Sequence, residues 1–215
     1  MLYTEASTSV LFLNMFSAEL KSIKELSAVV LVMKAGKIVK TFSAKDERQV
    51  VLRTPQWEDL DDLLDLINSL VDERANITRD QKVTRDEEID WLSRALARME
   101  KDEIFYLAAE VDGKIIANSE IGRRTSAYEK HVGVIGTAIK NGFRDLGIGT
   151  EMMKTLIGQG RAMGISVLEL AVFANNERAI HVYKKVGFAE TGRVPRKFFK
   201  EGKYVDETIM TKLLE

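Results

Sequence analysis

Apolar residues recur along the chain at two periods, and each change of period marks a change of element. Gln49 to Arg53 alternates as a strand. Trp57, Leu60, Leu63, Leu64, Ile67, Leu70 and Val71 then repeat every three to four residues, as on a helix with one buried face. Thr54-Pro55 ahead of them supplies a cap and a proline at the first helical position, so the helix is predicted to start there. A second stripe, Ile89, Leu92, Leu96 and Met99, follows Thr84-Arg85-Asp86-Glu87, which has the spacing of a capping box. Ile104 to Val111 and Lys114 to Ile121 read as a hairpin about Asp112-Gly113, a pair suited to the tight turn that strand twist favours. Gly133 to Ile139 is a strand. Met152, Met153, Leu156 and Ile157 form the buried side of the next helix, whose far end Gly158, Gly160 and Gly164 weaken. Val167 to Phe173 is again a strand, and Asn176 opens a helix. Phe188 to Phe199 and Tyr204 to Leu214 close the chain as a long antiparallel pair across Glu201-Gly202-Lys203. This order predicts an α/β fold, a mixed sheet with helices on both faces.

The first 45 residues carry a different pattern. Leu13, Phe16, Leu20 and Ile23 have helical spacing, and Ala28 to Met33 and Ile38 to Phe42 read as two strands about Lys34-Ala35-Gly36-Lys37. Residues 1–45 are therefore expected to form a helix-plus-hairpin extension of unknown role, joined through Ser43 to Arg48 to a domain over residues 46–215. Packing on the main domain is the plainer role for it. A dimerisation or regulatory arm, and with it a homodimer, is the alternative.

Composition narrows the function. With 32 basic and 33 acidic residues the chain has no cationic surplus to drive nucleic-acid binding. There is no cysteine, which removes thiol nucleophiles and zinc-thiolate sites, and two histidines, His131 and His181, do not furnish a histidine-rich metal site. Val10 to Phe16 is too short to span a bilayer and has no basic segment before it, so the expectation is a cytoplasmic protein without a membrane helix or signal peptide.

Arg144-Asp145-Leu146-Gly147-Ile148-Gly149-Thr150 lies between a strand and a helix start. Glycines at 147 and 149 let the backbone turn tightly and approach a ligand closely. The first turn of the following helix has N–H groups without intrahelical partners and a partial positive charge, which together suit a pyrophosphate. Arg144 adds a cation. A structural turn with a surface arginine is the competing reading. Further on, Asn176 and Tyr183 are seven residues apart, hence on one helical face two turns apart.

Together these segments resemble the GNAT superfamily of acyl-CoA-dependent N-acyltransferases over roughly residues 50–213. The family's Arg/Gln-x-x-Gly-x-Gly/Ala loop is matched by Arg144, Gly147 and Gly149, and its Asn-x-x-Ala-x-x-x-Tyr-x-x-x-Gly-Phe pattern by Asn176, Ala179, Tyr183, Gly187 and Phe188. The resemblance implies a mostly antiparallel central sheet flanked by helices. It also implies acetyl-CoA as co-substrate with no metal, held by Arg144, Leu146, Gly147, Ile148, Gly149 and Thr150. Thr137, Ala138 and Ile139 match the place where the strand splays from its neighbour and its backbone meets the pantetheine arm. Asn176 would contact the cofactor or cap its helix, or both. The helix pair over residues 54–99 would flank the acceptor groove, with residues 72–83 either selecting substrate or simply connecting.

The implied reaction is direct attack of a primary amine on the thioester in a ternary complex. Tyr183 is the expected proton donor to the departing thiolate. The residue removing the amine's proton is expected to be Glu120, with Glu169, Glu129, His131 or a water chain as alternatives. In relatives that acetylate protein N-termini an acidic residue often stands five positions before the motif asparagine. Ala171 occupies that position here, which tilts the expectation toward a small metabolite or polyamine. A protein N-terminus or lysine remains an alternative acceptor, and a non-catalytic acyl-CoA sensor a further alternative.

Overall fold

The structure is a computed structural model that describes residues 34–215. The helix expected over Leu13 to Ile23 and the strand expected over Ala28 to Met33 lie outside the described residues.

Eight strands form one sheet in the order β1-β2-β3-β4-β5-β6-β8-β7. They are β1 (Ile38–Ser43), β2 (Gln49–Arg53), β3 (Ile104–Val111), β4 (Lys114–Arg123), β5 (Val132–Ile139), β6 (Val167–Phe173), β7 (Ala189–Lys200) and β8 (Lys203–Leu213). Neighbours run antiparallel except β5 and β6, which are parallel. The strand expected from Ile38 pairs with β2 and forms an edge of this sheet. Both predicted hairpins are present. Asp112 and Gly113 have φ of 50° and 72°, and Glu201 and Gly202 of 53° and 75°, the left-handed conformations that a two-residue hairpin turn demands.

Among the described residues four α-helices cover the two faces: α1 (Leu60–Asp72), α2 (Arg85–Glu100), α3 (Ile148–Ala162) and α4 (Glu177–Lys185). Leu60, Leu63, Leu66 and Leu70 of α1 and Leu92 of α2 pack with Ala108 and Ile115 on one face. On the other, Met152, Met153, Leu156 and Ile157 of α3 and Tyr183 of α4 join Leu107, Ala109 and Ile121. None of the described helices is long and apolar enough to cross a membrane.

The capping box at α2 is as predicted. The Thr84 hydroxyl accepts from the Glu87 amide at 3.3 Å, and the Glu87 carboxylate accepts from the Thr84 amide at 2.8 Å. The start of α1 differs from expectation. Thr54 extends the strand pairing instead of capping, its amide donating to the Lys37 carbonyl and its hydroxyl accepting the Lys37 amide at 2.8 Å. A single 3-10 turn, Trp57–Asp59, then leads into α1 at Leu60. Asp59 is held there by the buried guanidinium of Arg53, two N–H···O bonds of 2.7 Å each. Arg53 also donates to Glu110 at 2.7 Å. This buried network decides where the helix begins.

Candidate active site

The feature that shapes the site is an opening in the sheet. β5 and β6 pair only at Val132, Gly133 and Val134. Beyond that point β6 stays paired with β8 and β5 with β4, so the facing edges part over residues 135–139. Main-chain groups on such edges lack a ladder partner and are ready to bond an extended ligand. Thr137, Ala138 and Ile139 all lie on this stretch. Side chains alternate there: Thr137 turns toward α3, its hydroxyl 2.7 Å from that of Ser119, while Ala138 faces α1 and α2.

At the end of β5 the chain runs through residues 140–147 into α3. Gly147 caps α3 with φ 87° and has open space where a Cβ would be. Gly149, two residues on, lies so close to Ile139 that a Cβ would meet its terminal methyl at 3.0 Å. The first intrahelical bond is Glu151 N–H to the Gly147 carbonyl, which leaves the amides of Ile148, Gly149 and Thr150 without intrahelical partners. Two more amides are aimed by a neighbour. Lys45, in the β1–β2 turn, donates its backbone N–H to the Leu146 carbonyl at 3.1 Å and its Nζ to the Asp145 carbonyl at 3.0 Å. In a trans peptide N–H and C=O point in opposite directions, so the amides of Leu146 and Gly147 face away from Lys45. Arg48 from the same turn lies 4.4 Å from the Phe143 ring. Sequence reasoning missed this brace because its residues are remote in the chain and belong to no motif.

Arg144, expected as a cation beside the cradle, is held in place by two neighbours. Its Nε donates to the Ile139 carbonyl at 2.9 Å and its terminal nitrogens bond the carboxylate of Glu73, the residue after α1. It ties the end of β5 to α1, so the positive character of the cradle comes from backbone amides and the helix end.

Tyr183 is 9% exposed, and burial pushes its pKa up to about 12. It belongs to the same buried cluster as Ile135 and Met152, and its hydroxyl has no hydrogen-bond partner among the described residues. Asn176 caps α4, its side-chain oxygen accepting from the Ala179 amide at 3.3 Å. Glu120 stands on β4 between Tyr106 of β3 and Gly136 of β5. Its carboxylate lies against Gly136, at the start of the unpaired stretch. Burial raises its pKa, with Tyr106 and Arg98 pulling the other way. The other acid–base candidates are placed elsewhere. Glu129 and His131 precede β5, the nearer of them about 20 Å along the chain from Thr137 at roughly 3.3 Å per residue. Glu169 is paired with Arg124 at 3.0 Å. Among the described residues no group of three or more His, Cys, Asp or Glu side chains is arranged to hold a metal ion.

Against the α1 and α2 face of β4 and β5 lies a cavity of about 350 Å³. Residues 73–84, between α1 and α2, form one side and are fixed at both ends. Asn68 pairs through its side-chain amide with the Val83 main chain at 2.8 and 3.0 Å. Lys200 Nζ, from the β7–β8 hairpin, donates to the Arg74 and Ala75 carbonyls at 2.7 Å and to Asn76 at 3.0 Å.

A parallel strand pair that parts beside a helix N-terminus, with a small cavity on one side, is the arrangement that the resemblance to the GNAT superfamily implies. The model of the acetyltransferase (GNAT) family matches residues 61–188, and the chain belongs to that family. Similar proteins include the L-amino acid N-acetyltransferase AaaT of Escherichia coli strain K12, 28% identical over 108 residues that make up 50% of this chain and 67% of that protein. The L-methionine sulfoximine/L-methionine sulfone acetyltransferase of Pseudomonas paraeruginosa is 24% identical over 157 residues, 71% of this chain and 87% of that one. Among solved structures, a GNAT-family acetyltransferase from Streptococcus pneumoniae has a TM-score of 0.69 at 25% identity, covering 77% of this chain and 99% of that chain. A GNAT superfamily phosphinothricin acetyltransferase from Sinorhizobium meliloti, in complex with acetyl-CoA, has the same TM-score at 17% identity, covering 77% and 88%. This chain is an N-acetyltransferase, and its co-substrate is acetyl-CoA.

Proposed function

We propose that the protein transfers the acetyl group of acetyl-CoA directly to the primary amine of a small molecule, both substrates being bound at once. The observation that carries this reading is the parting of β5 from β6 between the amide cradle on one side and the cavity under α1 and α2 on the other. The names of the relatives favour an amino-acid-like acceptor over a polyamine or a protein amine.

In this reading the amides of Leu146 to Thr150 hold the pyrophosphate, with Gly147 and Gly149 giving it room, and the free edge at Thr137, Ala138 and Ile139 bonds the pantetheine arm. Asn176, which caps α4 through its side-chain oxygen, contacts the cofactor through its amide nitrogen. Acetyl-CoA supplies an activated acetyl group and a thiolate leaving group. A free alkylamine is mostly protonated at neutral pH, so its proton must be taken before it can attack. Glu120 takes it, directly or through one water, since it stands on the α1 and α2 side of the sheet beside the unpaired edge. Tyr183 keeps its proton at all physiological pH values and gives it to the thiolate. Both protons are thereby accounted for by groups on opposite faces of the opening.

Initial rates measured while both substrates are varied test the ternary complex. Intersecting double-reciprocal lines are expected, whereas parallel lines would mean that the acetyl group passes through the enzyme.

A further inference from the structure

The cavity under α1 and α2 is lined by leucines of α1 and by charged and amide side chains of α2, the loop before it and β4. It contains Asn118 and Ala138, register partners on β4 and β5, so it adjoins the unpaired stretch of β5. Two hydrogen-bond acceptors in its lining have no hydrogen-bond partner among the described residues. Asn118 Oδ1 is buried and accepts no hydrogen bond within the protein. The Glu88 carboxylate, on α2, has no hydrogen bond among the described residues although the residue is only 6% exposed. Burial pushes its pKa up against the pull of Arg79. A buried acceptor without a partner costs about 1–3 kcal/mol, so Asn118 Oδ1 calls for a donor ligand, and Glu88 offers a second acceptor in the same cavity. The lining also includes the exposed arginines Arg79, from the loop between α1 and α2, and Arg94, from α2. Of the acids beside them, Glu87 is engaged by the capping box at Thr84 and Asp90 is exposed. Leu63, Leu66 and Leu70 of α1 form the apolar wall.

We infer that this cavity binds the acceptor as a zwitterion, an α-amino acid with an uncharged apolar side chain, through contacts to both of its charged groups. The ammonium bonds Asn118 Oδ1, beside the unpaired stretch of β5 where it must be to reach the acetyl group, and Glu88. The carboxylate, on the same carbon as the ammonium, meets Arg79, whose charge already acts on Glu88, and the side chain lies along the leucine wall. A polyamine would instead place its second ammonium beside two arginines. The inference rests on the proposed transfer to a small amine and adds to it the residues that select the acceptor.

Thiol release from acetyl-CoA with L-methionine, L-leucine, L-methioninamide and spermidine tests it, in wild type, Arg79→Ala, Asn118→Leu and Asn118→Asp. The two amino acids are expected to be turned over in preference to spermidine. Arg79→Ala should raise KM for L-methionine at least tenfold and leave that for L-methioninamide, which has no carboxylate, unchanged. Asn118→Leu should raise both at least tenfold with calorimetric acetyl-CoA affinity preserved, and Asn118→Asp, which keeps an acceptor oxygen, should restore them. Should Asn118→Leu not fold, Arg79→Ala on its exposed loop decides the matter. Preference for spermidine, or an L-methionine KM indifferent to both Arg79→Ala and Asn118→Leu, overturns this assignment while leaving small-amine transfer standing. No thiol release with any amine would overturn both.

Discussion

Burial raises the pKa of both Tyr183 and Glu120, and the shift has opposite consequences for the roles proposed for them. A tyrosine with its pKa pushed up to about 12 holds its proton throughout the useful pH range, as a donor must. Removing a positioned acid costs roughly 100-fold or more in rate. Tyr183→Phe is therefore expected to lower kcat by about that factor while the calorimetric Kd for acetyl-CoA changes less than twofold. For Glu120 burial delays ionisation, so a base at this position becomes active only above its raised pKa. The profile of kcat/KM against pH should have an acidic limb above the ordinary glutamate value of 4.5, and Glu120→Gln should abolish that limb along with most of the rate. The sign for stability is the reverse. A carboxyl group whose folded pKa is raised stabilises the fold fully below its unfolded pKa and loses that contribution as pH rises through the folded one. At pH 7 Glu120→Gln should thus melt no lower than wild type, which a thermal scan checks. Tyr183 and Asn176 were legible in the sequence because a motif carries them. Asn118, Glu88 and Lys45 were not, because each owes its meaning to an environment assembled from distant segments: two by the cavity that α1 and α2 close, the third by the approach of the β1–β2 turn to the cradle.

At the scale of elements, periodicity located nearly every strand and helix, since alternating and three-to-four spacings report directly which face is buried. It misplaced the start of α1, where the local signal Thr54-Pro55 lost to a tertiary one. Arg53 holds Asp59 in a buried ion pair, and the Thr54 hydroxyl is engaged by the Lys37 amide. Breaking such a pair from one side costs about 3–5 kcal/mol, well above the 1 kcal/mol of a typical cap. The loop over residues 73–84 shows the same dependence on remote contacts. Its sequence reads as a solvated connector, but Lys200, 124 to 126 positions away, bonds three of its groups. Lys200→Met keeps the apolar stem and removes the donors. Hydrogen exchange over residues 73–84 should quicken in that variant, and KM for the acceptor should rise while KM for acetyl-CoA stays put. Unchanged exchange would mean the hairpin does not hold the loop.

For the whole molecule, the proposed function divides two tasks across the sheet: cofactor capture at the N-terminus of α3, and acceptor capture beneath α1 and α2, meeting where β5 leaves β6. Such an arrangement ties ligand binding to overall stability. Acetyl-CoA at 100 times its Kd should stabilise the native state by about 2.7 kcal/mol. Gly147→Glu puts bulk, negative charge and a strained left-handed residue at the cradle, and should lose that gain entirely in a thermal scan with and without ligand. Equal stabilisation of both proteins would remove the cradle assignment.

The most direct test of the central claim is the amine-dependent release of free thiol from acetyl-CoA, with the acetylated amine identified by mass, in wild type and in Tyr183→Phe at matched cofactor occupancy. The account predicts one acetyl group on the amine per thiol released by wild type, and a rate about 100-fold lower in the variant with binding intact. Equal rates in the two proteins would contradict the role of Tyr183. Thiol release without acetylated amine would contradict direct transfer.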